Sequence, residues 1–294
     1  PDEPQPDDTR PDDAQPDQAA LGPASSPTTL HAALMDHEIT VTCDDPRWLE
    51  TTRSILVPPC TTTPTRTPFP TADHRNGSSW RIEATQLPEP APADSTGHPQ
   101  LGWPPGGMGL TVLDAGNGTL RLVGRYRPTA ASATITTDHR RRTTTVGIRH
   151  QDLISRRWPD WLARLRLGTR LLGDGWPLLH AAAVAFPTPD GDRALLILAD
   201  AAGGKSTLVH QACVERSARL LADDLVLVRA GSDGVTVIGW PTRMCLPLHL
   251  LSNADLRRLD AYPIVSTTID GYHRRRMVLT PGEYAEAFGV RRTG

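Results

Sequence analysis

The stretch "LLILADAAGGKSTLVHQ", Leu195 to Gln211, constrains this chain more than any other. An apolar run of strand type ends at Ala199, a turn carrying Gly203–Gly204 follows, and an amphipathic segment of helical type begins at Lys205. Such a chain feeds a strand into a helix N-terminus across a tight loop. Loops of the pattern GxxxxGK[ST] use that geometry: backbone N–H groups wrap phosphates, the lysine bridges the terminal ones, and the hydroxyl holds magnesium. Gly204, Lys205 and Ser206 match the pattern, whereas Ala199 occupies its first glycine position. Ala202 also stands where related loops commonly carry glycine. An alanine held in a left-handed backbone costs about 1–2 kcal/mol, so the loop is weakened but not abolished. The bland alternative is an ordinary helix start with a glycine cap.

Composition sharpens the choice. Of the 31 basic residues only Lys205 is a lysine, and it falls inside this loop. A planar guanidinium is a poor replacement for a compact ammonium there. Ala202, Gly203, Gly204, Lys205, Ser206 and Thr207 are therefore the expected phosphate-binding residues. The net charge of −2 argues against a general nucleic-acid or membrane-surface binder. No apolar run is long enough for a membrane-spanning helix, and the start of the sequence lacks a secretory pattern, so a cytoplasmic protein is expected. The four cysteines form no CxxC pair and suggest neither a zinc site nor a disulfide framework.

Downstream, "LLADDLVLV" places Asp223 and Asp224 at the start of an apolar strand. Phosphoryl transfer uses one carboxylate to orient or deprotonate the acceptor and another to help hold magnesium, and an adjacent pair can divide those roles. The alternative is a polar turn before a strand. His180 lies in "WPLLHAAAV", on the strand preceding that of the loop; it is a core histidine or a group at the same sheet edge. Arg274 and Arg275 in "HRRRM", and Arg243 in "GWPTRM", are candidate contacts to substrate or phosphate. "HRRR" at 139–142 is most simply a hairpin surface.

Three regions are expected. Residues 1–28, dominated by Pro, Asp, Gln and Ser, read as a disordered tail. Residues 29–150 read as a mostly antiparallel β domain beginning near "HEITVTC". In it Asp45 and Pro46 start a short helix, and "DAGNG" (114–118) forms a hairpin turn. Two Pro/Thr/Gly-rich stretches, 58–73 and 87–107, read as long loops. Residues 151–294 read as α/β: a helix from Pro159 to about Leu172 with Trp158, Trp161, Leu162, Leu165 and Leu172 on one face. Buried strands "LLHAAAVAF" and "RALLILA" follow, then the loop, its helix and further strands.

Together, "LLHAAAVAF", "LLILADAAGGKSTL", "RLLADDLVLV" and "GWP" resemble the HPr serine kinase/phosphorylase family. They look still more like its diverged relatives that act as peptide-tailoring kinases in ribosomal-peptide, notably lasso-peptide, gene clusters. The resemblance covers about Trp176 to Leu248, with a weaker echo in the N-terminal β segments. It implies an α+β/α/β fold with an N-terminal mostly antiparallel β domain and an HPr-kinase-like P-loop kinase domain. It also implies a kinase using ATP (or another NTP) and Mg2+ on a hydroxyl, usually serine, of a peptide or small protein. Under it, Lys205 binds phosphate, Ser206 binds phosphate and magnesium, and His180 lies by the transferred phosphate. Asp223 is the expected base, and Asp224 the metal partner or reserve base. No glutamate-bearing signature for the reverse, phosphorolytic reaction is recognisable, so neither that activity nor HPr as acceptor is expected. A nucleotide-binding scaffold without turnover, or another P-loop phosphotransferase, stays open, as does a homo-oligomer.

Overall fold

The computed structural model describes residues 28–62, 79–87, 108–126, 131–148, 157–200, 203–232, 234–269 and 272–293. The proposed tail up to residue 27, most of both Pro-rich stretches, and Ala202 lie outside these residues. It is a mixed α and β protein built on a large, mostly antiparallel sheet, with five helices among the described residues. None of these helices is long and apolar enough to cross a membrane.

The first part contains β1 (Thr28–Leu34), β2 (His37–Cys43), α1 (Pro46–Leu56), β3 (Thr61–Thr62) and β4 (Ser79–Gln86). It continues with β5 (Met108–Gly116), β6 (Thr119–Tyr126), β7 (Ala131–Asp138) and β8 (Thr143–Ile148). Together they form one eight-stranded sheet in the order β3-β1-β2-β4-β8-β7-β6-β5. β4 runs parallel to both β2 and β8, and the other pairings are antiparallel. Asp45 caps α1 by accepting the Arg47 N–H, with Pro46 in the first turn, as expected. Asn117 and Gly118 both take positive φ, 52° and 81°, as a two-residue β5–β6 turn requires. β1 is an addition to the expected strands. Its alanines give "TTLHAAL" little strand character, yet it pairs along the whole length of β2 and buries Leu30, Ala32 and Leu34.

α2 (Trp158–Gly173) buries Trp158, Leu162, Ala163, Leu167 and Leu171. Leu165 and Leu172, placed on the buried face by the sequence, are instead 43% and 51% exposed. Leucines surround this helix, so the sequence alone cannot say which flank the sheet will take. The buried flank joins the core of the first sheet, which also takes in Trp176, Leu227, Ile238 and Trp240.

The second part contains β9 (Leu178–His180), β10 (Ala182–Thr188), β11 (Gly191–Ile197), α3 (Lys205–Arg216), β12 (Arg219–Ala222), β13 (Leu225–Gly231) and β14 (Gly234–Gly239). β15 (Met244–Pro247), α4 (Asn253–Arg258), β16 (Ile264–Ile269), β17 (Tyr272–Leu279) and α5 (Pro281–Phe288) follow. They make three three-stranded sheets, β11-β10-β12, β14-β13-β9 and β15-β17-β16, whose pairings are all antiparallel. β10 is buried as expected. β11 is not: it is an exposed edge strand, with Leu195 51% exposed, and Leu198 just beyond its end is 66% exposed. A short apolar run identifies a strand without saying how many neighbours cover it. α3 buries Val209 and Cys213 in a second core with Met244, Leu246, Met277, Leu279 and Tyr284.

Candidate phosphate-binding and catalytic site

β11 delivers the chain to the loop, and α3 leaves it. Lys205 is 7% exposed, and its ammonium donates to the carbonyls of Ala199 at 2.7 Å and Asp200 at 3.1 Å. The Gly203 N–H closes the loop onto the Asp200 carbonyl at 3.0 Å. Each retained glycine has a geometric reason. Gly204 has φ +87°, where a side chain is strained, and a Cβ on Gly203 would lie 2.7 Å from the Ala199 Cβ. Ala199 does not take a left-handed backbone, so the strain anticipated at the missing first glycine does not arise. The N-cap Gly204 has no side chain to cap α3, and Ser206 and Thr207 are half-buried in its first turn.

The stretch "ARLLADDLVLVRA" is cut by the aspartate pair, which forms the turn between β12 and β13. Asp223 is 4% exposed. Its Oδ2 accepts the Cys245 N–H at 3.1 Å, whereas its buried Oδ1 has no hydrogen-bond partner. Burial pushes its carboxyl up to about 6; the Cys245 N–H and the Ser206 hydroxyl pull it down, Asp224 raises it, and the Arg276 charge lowers it. The Ser206 hydroxyl of the loop thus acts on the Asp223 carboxyl. His180 ends β9 opposite Leu225, and its Nε2 meets Asp224 Oδ1 at 2.9 Å, both side chains being about half exposed. The alternative of a core histidine is therefore not what the fold shows. The chain kinks at Ala181, so that β9 serves one sheet and β10 another, and this kink sets His180 at the sheet edge.

The structure thus brings Lys205, Ser206, Asp223, Asp224 and His180 into one region. The arginines sort differently from expectation. Arg243 donates to Asp160 Oδ2 at 2.7 Å, and Asp160, fully buried, takes Arg164 on its other oxygen at 2.7 Å. Arg243 is therefore committed to a buried ion pair with α2 and is corrected as a substrate or phosphate contact. Arg275 is exposed, on the strand face of the core residue Met277. Arg274 and Arg276 share the opposite face, and it is Arg276 whose charge bears on Asp223. Strand alternation counted back from the apolar Met277 separates Arg275 from Arg274 and Arg276 but does not choose between the latter two. No comparable signal marks Arg157, whose charge, like that of Arg276, acts on the Cys245 thiol.

Among the described residues no group of three or more His, Cys, Asp or Glu is disposed to hold a metal ion. A magnesium nucleotide asks for less: one or two carboxylates, with phosphate and water oxygens completing the shell. A serine hydroxyl beside an unpartnered buried carboxylate oxygen, at an uncapped helix start, fits that need. Compared with protein-family models and with curated protein sequences, the chain matches none.

Proposed function

We propose that this protein is a kinase that transfers the terminal phosphoryl group of ATP, with magnesium, to a hydroxyl of a peptide or small protein, most simply a serine. In this reading it is a diverged peptide-tailoring kinase with an HPr-kinase-like P-loop domain. The observation that carries the proposal is the buried Asp223 carboxyl, which keeps one oxygen without a hydrogen-bond partner and feels the Ser206 hydroxyl of the loop.

Each group has a task. Lys205 leaves the two loop carbonyls to meet terminal phosphate oxygens, and the α3 N–H groups meet the others. Ser206 and Asp224 would hold magnesium, which supplies charge neutralisation on the phosphates when bound. Asp223 takes the acceptor proton. A carboxyl raised to about 6 is a stronger base than an ordinary one and is still ionised at neutral pH. His180, steadied by Asp224, faces the transferred group.

The test is phosphate incorporation into serine peptides with ATP and magnesium, read by intact mass and by labelled phosphate. Lys205→Ala and Asp223→Asn are each expected to lower the rate by roughly a hundredfold or more. An unchanged rate in either variant would overturn the proposal.

A further inference from the structure

Away from the phosphate loop, α2 packs against β2 and β4, and a cavity of about 280 Å3 opens to solvent between them. Arg166 and Arg170, four residues apart and so neighbours on the helix surface, both line it. Trp80, His37, Ile39 and Glu38 line it from the strands. None of these groups has a part in the proposed phosphoryl transfer.

The Arg166 guanidinium lies over the Trp80 ring, 3.6 Å from its centroid. Stacking of this kind occupies a flat face of the guanidinium and leaves its in-plane N–H groups to meet a partner. Neither Arg166 nor Arg170 makes a hydrogen bond or an ion pair through its guanidinium with a described residue. Burial and the Arg170 charge together lower the Arg166 guanidinium to about 10, and no carboxylate acts against them. Like charges at this helical spacing repel, so the pair is set against itself until an anion joins it.

The two carboxylates on the strand side of the cavity are otherwise placed. Asp174 is held by His37, whose Nε2 meets its Oδ2 at 2.5 Å, while the buried Nδ1 of His37 has no hydrogen-bond partner. Glu38 alternates with His37 and Ile39 along β2, which sends its side chain to the opposite face of the sheet. Trp80 pairs with Ile39 and so shares the face of His37 and Ile39, not that of Glu38.

We infer that Arg166 and Arg170, over the Trp80 ring, form a binding site for the phosphate group of a phosphomonoester. A phosphomonoester carries about −1.5 to −2 charge at neutral pH and so matches two guanidinia, whereas a carboxylate brings a single charge. Its oxygens accept from the in-plane N–H groups of both arginines. The site owes nothing to the kinase reading and stands or falls by binding alone.

The experiment follows phenyl phosphate by phosphorus NMR line width as protein is added, with ADP and magnesium in excess to fill the proposed nucleotide loop. Benzoate, which has the same ring and a single charge, is titrated as a competitor and is expected to bind at least about tenfold more weakly. Arg166→Gln and Arg170→Gln should each weaken phenyl phosphate by about tenfold or more, and Arg166→Lys, which keeps the charge but loses the fork, by less. Arg170 is exposed, so its variant serves if that of Arg166 does not fold. Lys205→Ala should leave the binding unchanged, which separates this site from the loop. Inorganic phosphate and a phosphoserine peptide are further competitors. Equal competition assigns the site to phosphate itself, and stronger competition by the peptide assigns it to a phosphorylated peptide; either upholds the phosphate site. Benzoate that binds as well as phenyl phosphate overturns it. So does binding that survives both arginine variants or is lost with Lys205→Ala.

Discussion

Burial makes an ionised Asp223 expensive, and the proposed chemistry needs it ionised. A carboxyl raised from 3.8 to about 6 in the folded protein stabilises the fold fully only below the unfolded value. That contribution is lost as pH rises through about 6. At pH 7.5 the folded protein therefore carries a cost of at most about 3 kcal/mol. Asp223→Asn is expected to raise the melting temperature at pH 7.5, with the gain shrinking to nothing near pH 3.5. A thermal melt series over that range checks it, and a lower melting temperature at pH 7.5 would contradict it. Wild-type turnover should fall about tenfold per pH unit below 6, as the base becomes protonated. Much at this scale was legible in the sequence. Lys205, Ser206, Asp223, Asp224 and His180 were chosen for their chemistry, and the fold gathers them. The arginines were less legible because a charged side chain's partner is set by three-dimensional neighbours. Nothing near Arg243 in sequence announces Asp160.

The loop between β11 and α3 is a unit in which two residues share one space. Ala199 has a side chain where the pattern has none, and Gly203 has none where its Cβ would meet that of Ala199 at 2.7 Å. Restoring the pattern with Ala199→Gly is expected to leave nucleotide affinity within about twofold, since no left-handed strain is relieved. Gly203→Ala should weaken nucleotide binding by about tenfold, roughly 1.4 kcal/mol, and adding Ala199→Gly should recover part of the loss. Titration of a fluorescent nucleotide into the three variants measures this. Additive effects would show that the two positions do not compete. Element types follow the sequence well here, from α1 with its Asp45 cap to the Asn117–Gly118 turn. Element faces follow it less well. β11 and α2 are as apolar as buried elements, and only their neighbours decide which side meets water.

The whole molecule is tied together by contacts far apart in sequence. Arg292 donates to the carbonyls of Ser54, Ile55 and Pro58, closing the C-terminal end of α1. Burial lowers its guanidinium to about 10, still charged at neutral pH. Arg292→Ala is expected to cost about 2–4 kcal/mol, read as a lower urea midpoint with an unchanged slope. A midpoint equal to wild type would show these bonds to be neutral. No periodicity or motif predicts this link, because an arginine's reach to three carbonyls is a product of the finished packing.

The same segment bears on the order of events. The Leu220 N–H donates to the Arg291 carbonyl, and the Thr293 N–H donates back to Leu220, so residues 291–293 close the free side of β12. β12 leads directly into the aspartate turn. As the chain leaves the ribosome from its amino end, β12 gains this neighbour after every other described element has emerged. The large sheet and the loop before α3 are therefore complete in sequence before β12 gains this neighbour, and in the proposed kinase the strand leading to Asp223 is the last to be flanked.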